Sequence, residues 1–364
     1  MSEEEAQRLL QLELRGFRNL TRFSFEPGPR FNVIHGDNGQ GKSNLLEAID
    51  YLARLKSFRG ASNEELIGID QPGAELRAVL RDHPMPRRIQ VQFPRQGQRR
   101  VLVDGKRPRS RASYATRQQI VLFHAGDLRL TSGAPDQRRA FLDRMLEQFD
   151  PTYGTTLAAY DKALRSRNRL LKADRPDRRA IHAFDELLAS AGSVIGQARA
   201  RLVSEMAQAV SETFEEISQQ GLRLTLVYEP RVVPEVEALR AALASSLDKD
   251  LARGFTADGP HADELSFRTH EVGARRYVSQ GQHRAIVLSL KVVELHELER
   301  RVGRVPILLL DDVSSELDRT RNRLLFDRLT RLGGQVFLTT THPEYILLDH
   351  HRHDFHLQAG SLVP

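Results

Sequence analysis

The 364 residues suit one large α/β domain with an insertion, or two domains, and 28% charged with 40% hydrophobic residues is the mix of an ordinary folded, water-compatible chain. With no cysteine, disulfides, thiolate metal sites and cysteine nucleophiles are all excluded. The net charge of +6, carried mostly by arginine, suits a polyanionic partner or a merely solvated basic surface.

The chain opens on MSEEEAQRLL, acidic and polar, without the basic and apolar regions of a secretory signal. Leu10, Leu12 and Leu14, then Phe23 and Phe25, alternate with polar residues and predict strands. A short apolar run, Phe31 to His35, ends in glycine. Beyond it Leu45, Leu46, Ile49, Leu52 and Leu55 recur at helical spacing, so the order is strand, glycine loop, helix. Leu76–Leu80, Ile89–Phe93 and Val101–Val103 predict an antiparallel patch, with Asp104-Gly105 as a hairpin turn.

From about Ala134 the period becomes helical. Pro135 suits a first helical position, and Phe141, Met145 and Phe149 share a face. Leu157, Tyr160, Leu164 and Leu171 form a second stripe, and KADRPDRR breaks it. A third stripe from Ile181 to Ile217 predicts a helix roughly 50 Å long. Two long stripes across a polar break predict an antiparallel helical hairpin, read as an arm and not a helix wholly inside a core. Strand-like alternation returns at Leu222–Val227, and a helical stretch follows near Val236–Leu247. The expected organisation is a split head, 1–132 and 254–364, around a mostly helical insertion, 133–253. The longest aliphatic run, Val305 to Leu310, contains a proline and is far short of the ~20 residues of a membrane span, so a cytoplasmic protein is expected.

Gly36-Asp37-Asn38-Gly39-Gln40-Gly41-Lys42-Ser43, followed by Asn44, matches GxxxxGK[ST] in the strand-to-helix context that a P-loop needs. Glycines let successive N–H groups point at phosphate, and the helix's positive end adds to that field. Lys42 is expected to reach the β- and γ-phosphates of ATP, and Ser43 to ligate Mg²⁺. The run Ile307–Leu310 reads as a buried parallel strand delivering Asp311 and Asp312 to its carboxyl end. Asp311 is expected to hold Mg²⁺, and Asp312 to orient the attacking water or else to serve as a structural carboxylate. Ser279-Gln280-Gly281-Gln282 precedes an amphipathic helix and offers an anion free N–H groups and a hydroxyl, although serine and glycine there are also capping material. Ser315-Glu316-Leu317-Asp318 follows the aspartate pair. The order P-loop, long insertion, SQGQ, LLLLDD, SELD is that of an ABC-type ATPase.

With these motifs the chain resembles the RecF family, within the ABC-type group that includes SMC proteins. The likeness is carried by RGFRNL (Arg15–Leu20), the segment Gly36–Ala53, SFRG (Ser57–Gly60), Gly133–Asp143, Gly254–Leu265, Ser279–Lys291 and Leu308–Asp318. It implies an α/β, SMC-like P-loop ATPase head with an inserted helical arm or lobe. It also implies an ATP-dependent homodimer and weak, DNA-stimulated ATP hydrolysis. The expected partners are duplex DNA and single-/double-strand junctions, with RecR and RecO helping to load RecA. Carried over, Ser279 is the signature serine facing the γ-phosphate of the partner subunit, with Gln280, Gly281 and Gln282 beside it. Asp318 is the aspartate lying across the dimer, and His342 is the candidate switch histidine. No glutamine is evident for the loop before Asp127, where FHAG stands in place of the family's usual proline and acidic residue, and His261 receives no role. Arg99, Arg100, Lys106, Arg107, Arg109 and Arg111 are the candidate DNA contacts, or else a solvated basic cluster. The alternative is the nucleotide subunit of an ABC transporter, whose compact helical lobe would replace the long insertion; a P-loop kinase would leave SQGQ and SELD unexplained.

Overall fold

The computed structural model describes residues 6–81, 85–110, 114, 118–218, 222–269, 272–273, 278–312, 319–331, 333–348 and 350–363. Contacts divide the chain into two compact units: residues up to Asp127 with those from Glu294 onward, and Leu128–Val293.

The first unit is built on two sheets. One is antiparallel, in the order β2 (Leu20–Phe25), β1 (Arg8–Phe17), β4 (Gly73–Arg81), β5 (Arg87–Pro94), β6 (Arg100–Val103). Asp104 and Gly105 both take positive φ and close a tight turn on the bridge between Val103 and Lys106. The other sheet runs β14 (Ser361–Val363), β13 (Arg352–Gln358), β3 (Phe31–His35), β12 (Val336–Thr340), β11 (Ile307–Asp311), β7 (Ile120–His124). Its strands from β13 to β7 are parallel, and only β14 returns antiparallel. Helix α1 (Lys42–Arg54) lies between the sheets. Leu45, Leu46, Ile49 and Leu52 share one core with Leu12, Leu14 and Leu76 of the first sheet and Ile34, Leu309 and Phe337 of the second. A helix covered on two sides must bury polar residues as well, and Glu47 and Asp50 are both fully buried. Glu47 takes both Nε and Nη2 of Arg18, and Asp50 pairs with Arg54 at 2.9 Å.

The second unit holds α2 (Pro135–Phe149), α3 (Pro151–Leu171), α4 (Arg178–Ser218), α5 (Val236–Arg253) and the first part of α6 (Gln280–Val302). It also holds a small sheet of β8 (Leu224–Glu229), β9 (Glu264–Thr269) and β10 (Val272–Gly273). At 41 residues α4 is about 60 Å long. Its buried face runs from Ile181 to Ile217, with α3, α5, α2 and β8 packed against it. The helical hairpin is therefore part of a packed lobe and not a free arm. The second boundary lies at 293/294, where the sequence suggests 253/254. The reason is long-range pairing: β9 joins β8 from Leu224↔Thr269 to Glu229↔Glu264, which ties residues after Gly254 to the inserted helices. Among the described residues no helix is long and apolar enough to cross a membrane.

Candidate functional site

Parallel strands place their carboxyl ends along one edge, and β3, β12, β11 and β7 bring there Gly36, Thr340, Asp311 and His124 in neighbouring register. The loop from Gly36 to Gly41 leaves β3 at this edge and enters α1. Two of its glycines are demanded by geometry. Gly36 has φ 147°, and a Cβ there would meet the Leu357 carbonyl oxygen at 2.2 Å. Gly41 caps α1 at φ 113°, which is left-handed backbone that other residues rarely adopt. No side chain caps the start of α1, so its first N–H groups remain available to an anion.

Lys42 folds back over the loop, its Nζ donating to the carbonyls of Gly36 (2.6 Å) and Asp37 (2.9 Å). Burial holds its pKa below the usual lysine value, while the carboxylates of Asp312, Asp311 and Asp37 pull the other way. Those carboxylates therefore act on the same ammonium. Asp37, Asn38 and Gly39 are exposed, and Ser43 is half-buried at the second helical position. Gln40 is held by the turn between β13 and β14: its Oε1 accepts from Ala359 N (2.6 Å) and its carbonyl from Gly360 N (3.0 Å). Asn44 accepts from Arg59 Nη1 (2.9 Å) and donates to Asn19 Oδ1 (2.8 Å), while Asn19 Nδ2 reaches the Gln40 carbonyl at 3.1 Å. The family-like strings RGFRNL and SFRG thus brace the loop and α1, a role the sequence left unstated.

Thr339 on β12 organises the two acidic residues. Its Oγ1 donates to Asp311 Oδ1 (2.8 Å) and accepts from Asp312 N–H (2.9 Å). Asp312 itself sits at φ 54°. That left-handed conformation is tolerated by aspartate and asparagine far better than by longer side chains, which is a local reason for aspartate at this position. Ser43 and Asp311 together offer the hard oxygen ligands that Mg²⁺ takes when phosphates complete its shell. No cluster of three or more metal-ligating side chains occurs among the described residues.

His342 follows β12, exposed, with its N–H on Thr340 Oγ1 and its Nδ1 3.1 Å from Glu344 Oε1. Ser279 and the residues through Gln282 belong to the second unit. There Ser279 and Gln282 form a reciprocal capping box at the start of α6: Ser279 N–H donates to Gln282 Oε1 (2.7 Å), and Gln282 N–H to Ser279 Oγ (3.3 Å). Gln280 is exposed and Gly281 half-buried. Asp318 lies outside the described residues.

The basic cluster divides. A trough of about 960 Å³ on the antiparallel sheet is lined by Arg15, Arg77, Arg99, Arg100 and Arg107, with Gln92 beside them. Arg99 is committed inward, donating to Tyr51 Oη and the Leu55 carbonyl (both 2.5 Å) at the end of α1. Arg100 and Arg107 are exposed and line the trough; Lys106 and Arg109 are exposed near it in sequence, and Arg111 lies outside the described residues. His261 is a satisfied interior group: its Nε2–H donates to the Thr256 carbonyl (2.9 Å), and Nδ1 accepts from Tyr160 Oη (2.6 Å).

A family model described as "RecF/RecN/SMC N terminal domain" matches residues 8–352. The chain belongs to the RecF family. It is 43% identical over 346 residues to the DNA replication and repair protein RecF of Anaeromyxobacter sp. (strain Fw109-5), covering 92% of each chain. Its backbone is similar to that of a solved RecF-ATP structure, a recombination mediator protein of the RecFOR pathway, with a TM-score of 0.89, 32% identity and 98% and 99% of the two chains covered. The Smc head domain from Pyrococcus furiosus shares the fold alone, at TM-score 0.57 and 15% identity over 98% of this chain and 95% of that one. The architecture is accordingly that of an SMC-like, ABC-type ATPase head.

Proposed function

We propose that this chain is an ATP-driven DNA repair switch: Mg-ATP on one copy recruits a second copy, the pair holds duplex DNA, and slow hydrolysis releases it. The observation that carries the reading is Lys42 lying on its own loop carbonyls, under the influence of Asp311 and Asp312 at the same sheet edge. Phosphate displaces those carbonyls as the partner of the ammonium. Residues Gly36 to Asn44 cradle the nucleotide, with Lys42 on the β- and γ-phosphates. Ser43 and Asp311 would hold Mg²⁺, which would supply charge neutralisation at the phosphates. Asp312 orients the attacking water, and His342 completes the edge. The second copy supplies Ser279 through Gln282 at the open side of the γ-phosphate, together with Asp318. ATP and ADP then differ in how firmly they join the two copies, which is the differential affinity a switch requires.

Kinship with a DNA replication and repair protein and with a RecF of the RecFOR pathway supports DNA, RecO and RecR as partners; duplexes, single-/double-strand junctions and RecA complete the reading. The exposed guanidiniums of Arg100 and Arg107 suit a phosphate backbone, with Lys106, Arg109 and Arg111 as neighbours. Sedimentation with and without Mg-ATP and a gapped duplex tests the reading. The expected result is a monomer that becomes a dimer with ATP and co-sediments with the duplex; a sedimentation coefficient indifferent to ATP overturns it.

A further inference from the structure

We propose that His124 is a further residue of the hydrolytic site, donating its Nε2–H to an oxygen of the γ-phosphoryl group. The inference rests on reading the P-loop edge as an ATP-hydrolysing site. His124 ends β7, directly level with Asp311 on the neighbouring strand β11. Ile307 and Leu309 on β11, like Ile120 and Leu122 on β7, bury their side chains in the core that contains α1. Alternation by two carries that same face on to Asp311 and to His124. Both side chains therefore project on the side of the sheet where the P-loop helix lies, about one strand spacing (~4.8 Å) apart.

The imidazole is set up as a donor. Gly126 N–H donates to its Nδ1 at 3.0 Å, so Nδ1 presents a lone pair and the proton of the neutral ring is on Nε2. Asp127, 4% exposed, accepts the backbone N–H of His124 on Oδ2 (3.0 Å) and places Oδ1 3.6 Å from Nε2. At that distance the carboxylate attracts the Nε2 proton and holds the ring in this tautomer. The turn tolerates little else, because a Cβ on Gly126 would fall 2.5 Å from the His124 ring. Phe58 supports the ring with centroids 4.9 Å apart, and Arg59 beside it is bound to Asn44 of the P-loop segment. The imidazole is 18% exposed, so a donor here works in partly excluded solvent, where a preset hydrogen bond to developing phosphoryl charge is most effective. The bland alternative is that His124 only closes its turn.

Two substitutions separate the roles, because asparagine keeps an acceptor near the Nδ1 position and glutamine keeps a donor near the Nε2 position. His124→Asn is expected to melt with the parent and to lower kcat by about a hundredfold, with a smaller loss of ATP affinity. His124→Gln is expected to recover most of that rate. A turn-closing role predicts the reverse order, with His124→Asn normal and His124→Gln impaired. A readout independent of turnover uses ¹⁵N-histidine labelling: the His124 Nε2 resonance moves when Mg²⁺ and a non-hydrolysable ATP analogue are added. Parent-like hydrolysis by His124→Asn, no rescue by His124→Gln, or an Nε2 resonance indifferent to the bound analogue overturns the assignment. If the parent binds the analogue but releases no phosphate, hydrolysis fails as a reading, and the resonance alone decides whether His124 meets the nucleotide.

Discussion

Thr339→Val isolates the support beneath the acidic pair. Valine matches threonine in shape and suits a central strand, so β12 keeps its packing. What disappears is one hydroxyl, which donates to Asp311 Oδ1 at 2.8 Å and accepts Asp312 N–H at 2.9 Å. A bond to a charged group contributes about 1.5–3 kcal/mol and a neutral one about 0.5–1.5 kcal/mol. Asp311 and Asp312 are both half-buried, so water recovers part of this, and a net loss of about 2 kcal/mol is expected. For a cooperative unit of this size that corresponds to a fall in Tm of about 4–8 °C. The functional effect is more specific. Asp311 loses the group that orients it, and Asp312 loses the bond that fixes its left-handed backbone. Calorimetric titration with ATP, with and without Mg²⁺, is the assay. Affinity in the absence of Mg²⁺ is expected to stay near the parent value, while the increment that Mg²⁺ adds falls about tenfold, or 1.4 kcal/mol. An unchanged Tm together with an unchanged Mg²⁺ increment would refute the reasoning.

Lys42→Met is expected to abolish measurable Mg-ATP binding, because it leaves the β- and γ-phosphate charge uncompensated in the loop; calorimetry showing parent-like affinity contradicts the loop's assignment. DNA affinity is expected to fall steeply with salt, and replacing Arg100 and Arg107 with alanine to flatten the log–log slope by up to about 1.8; an identical slope places the DNA elsewhere. Burial, foremost, lowers the pKa of His261, with Arg139 acting the same way against Asp263 and Asp250. The unfolded chain then takes up the proton first, so stability is lost as pH falls below the unfolded value near 6.5. His261→Phe is expected to flatten part of that loss in urea titrations. It also strands the Tyr160 hydroxyl at a cost of about 1–3 kcal/mol at neutral pH, while ATP affinity is retained.

The parts of the site that were legible are those written locally. Glycine spacing between an apolar strand and an amphipathic helix marks Gly36–Ser43, and an uninterrupted apolar run ending in two aspartates marks β11. Thr339 was hidden because its meaning depends on register: it faces Asp311 only through the parallel pairing of β11 with β12. Arg99 reads as one more surface arginine, yet contact with Tyr51 and Leu55 commits it to the far end of α1. Serine and glutamine three residues apart at a helix start are legible as a capping box, and Ser279 and Gln282 do form one. The same hydroxyl cannot declare from sequence whether it also serves a partner's nucleotide. The second unit boundary escaped for a topological reason, since nothing local announces that β9 will pair with β8 across α5.

The central claim is that ATP joins two copies through Ser279, and light scattering with Mg-ATP on two variants measures it most directly. Ser279→Arg inserts bulk at the junction but removes the cap of α6, at a cost of about 1 kcal/mol. Ser279→Asp keeps a good cap and sets a second anion against the γ-phosphate, so it separates folding from association. The parent is expected to double its mass with Mg-ATP, while both variants bind ATP at near-parent affinity and stay monomeric. Variants that dimerise as fully as the parent would contradict the composite site.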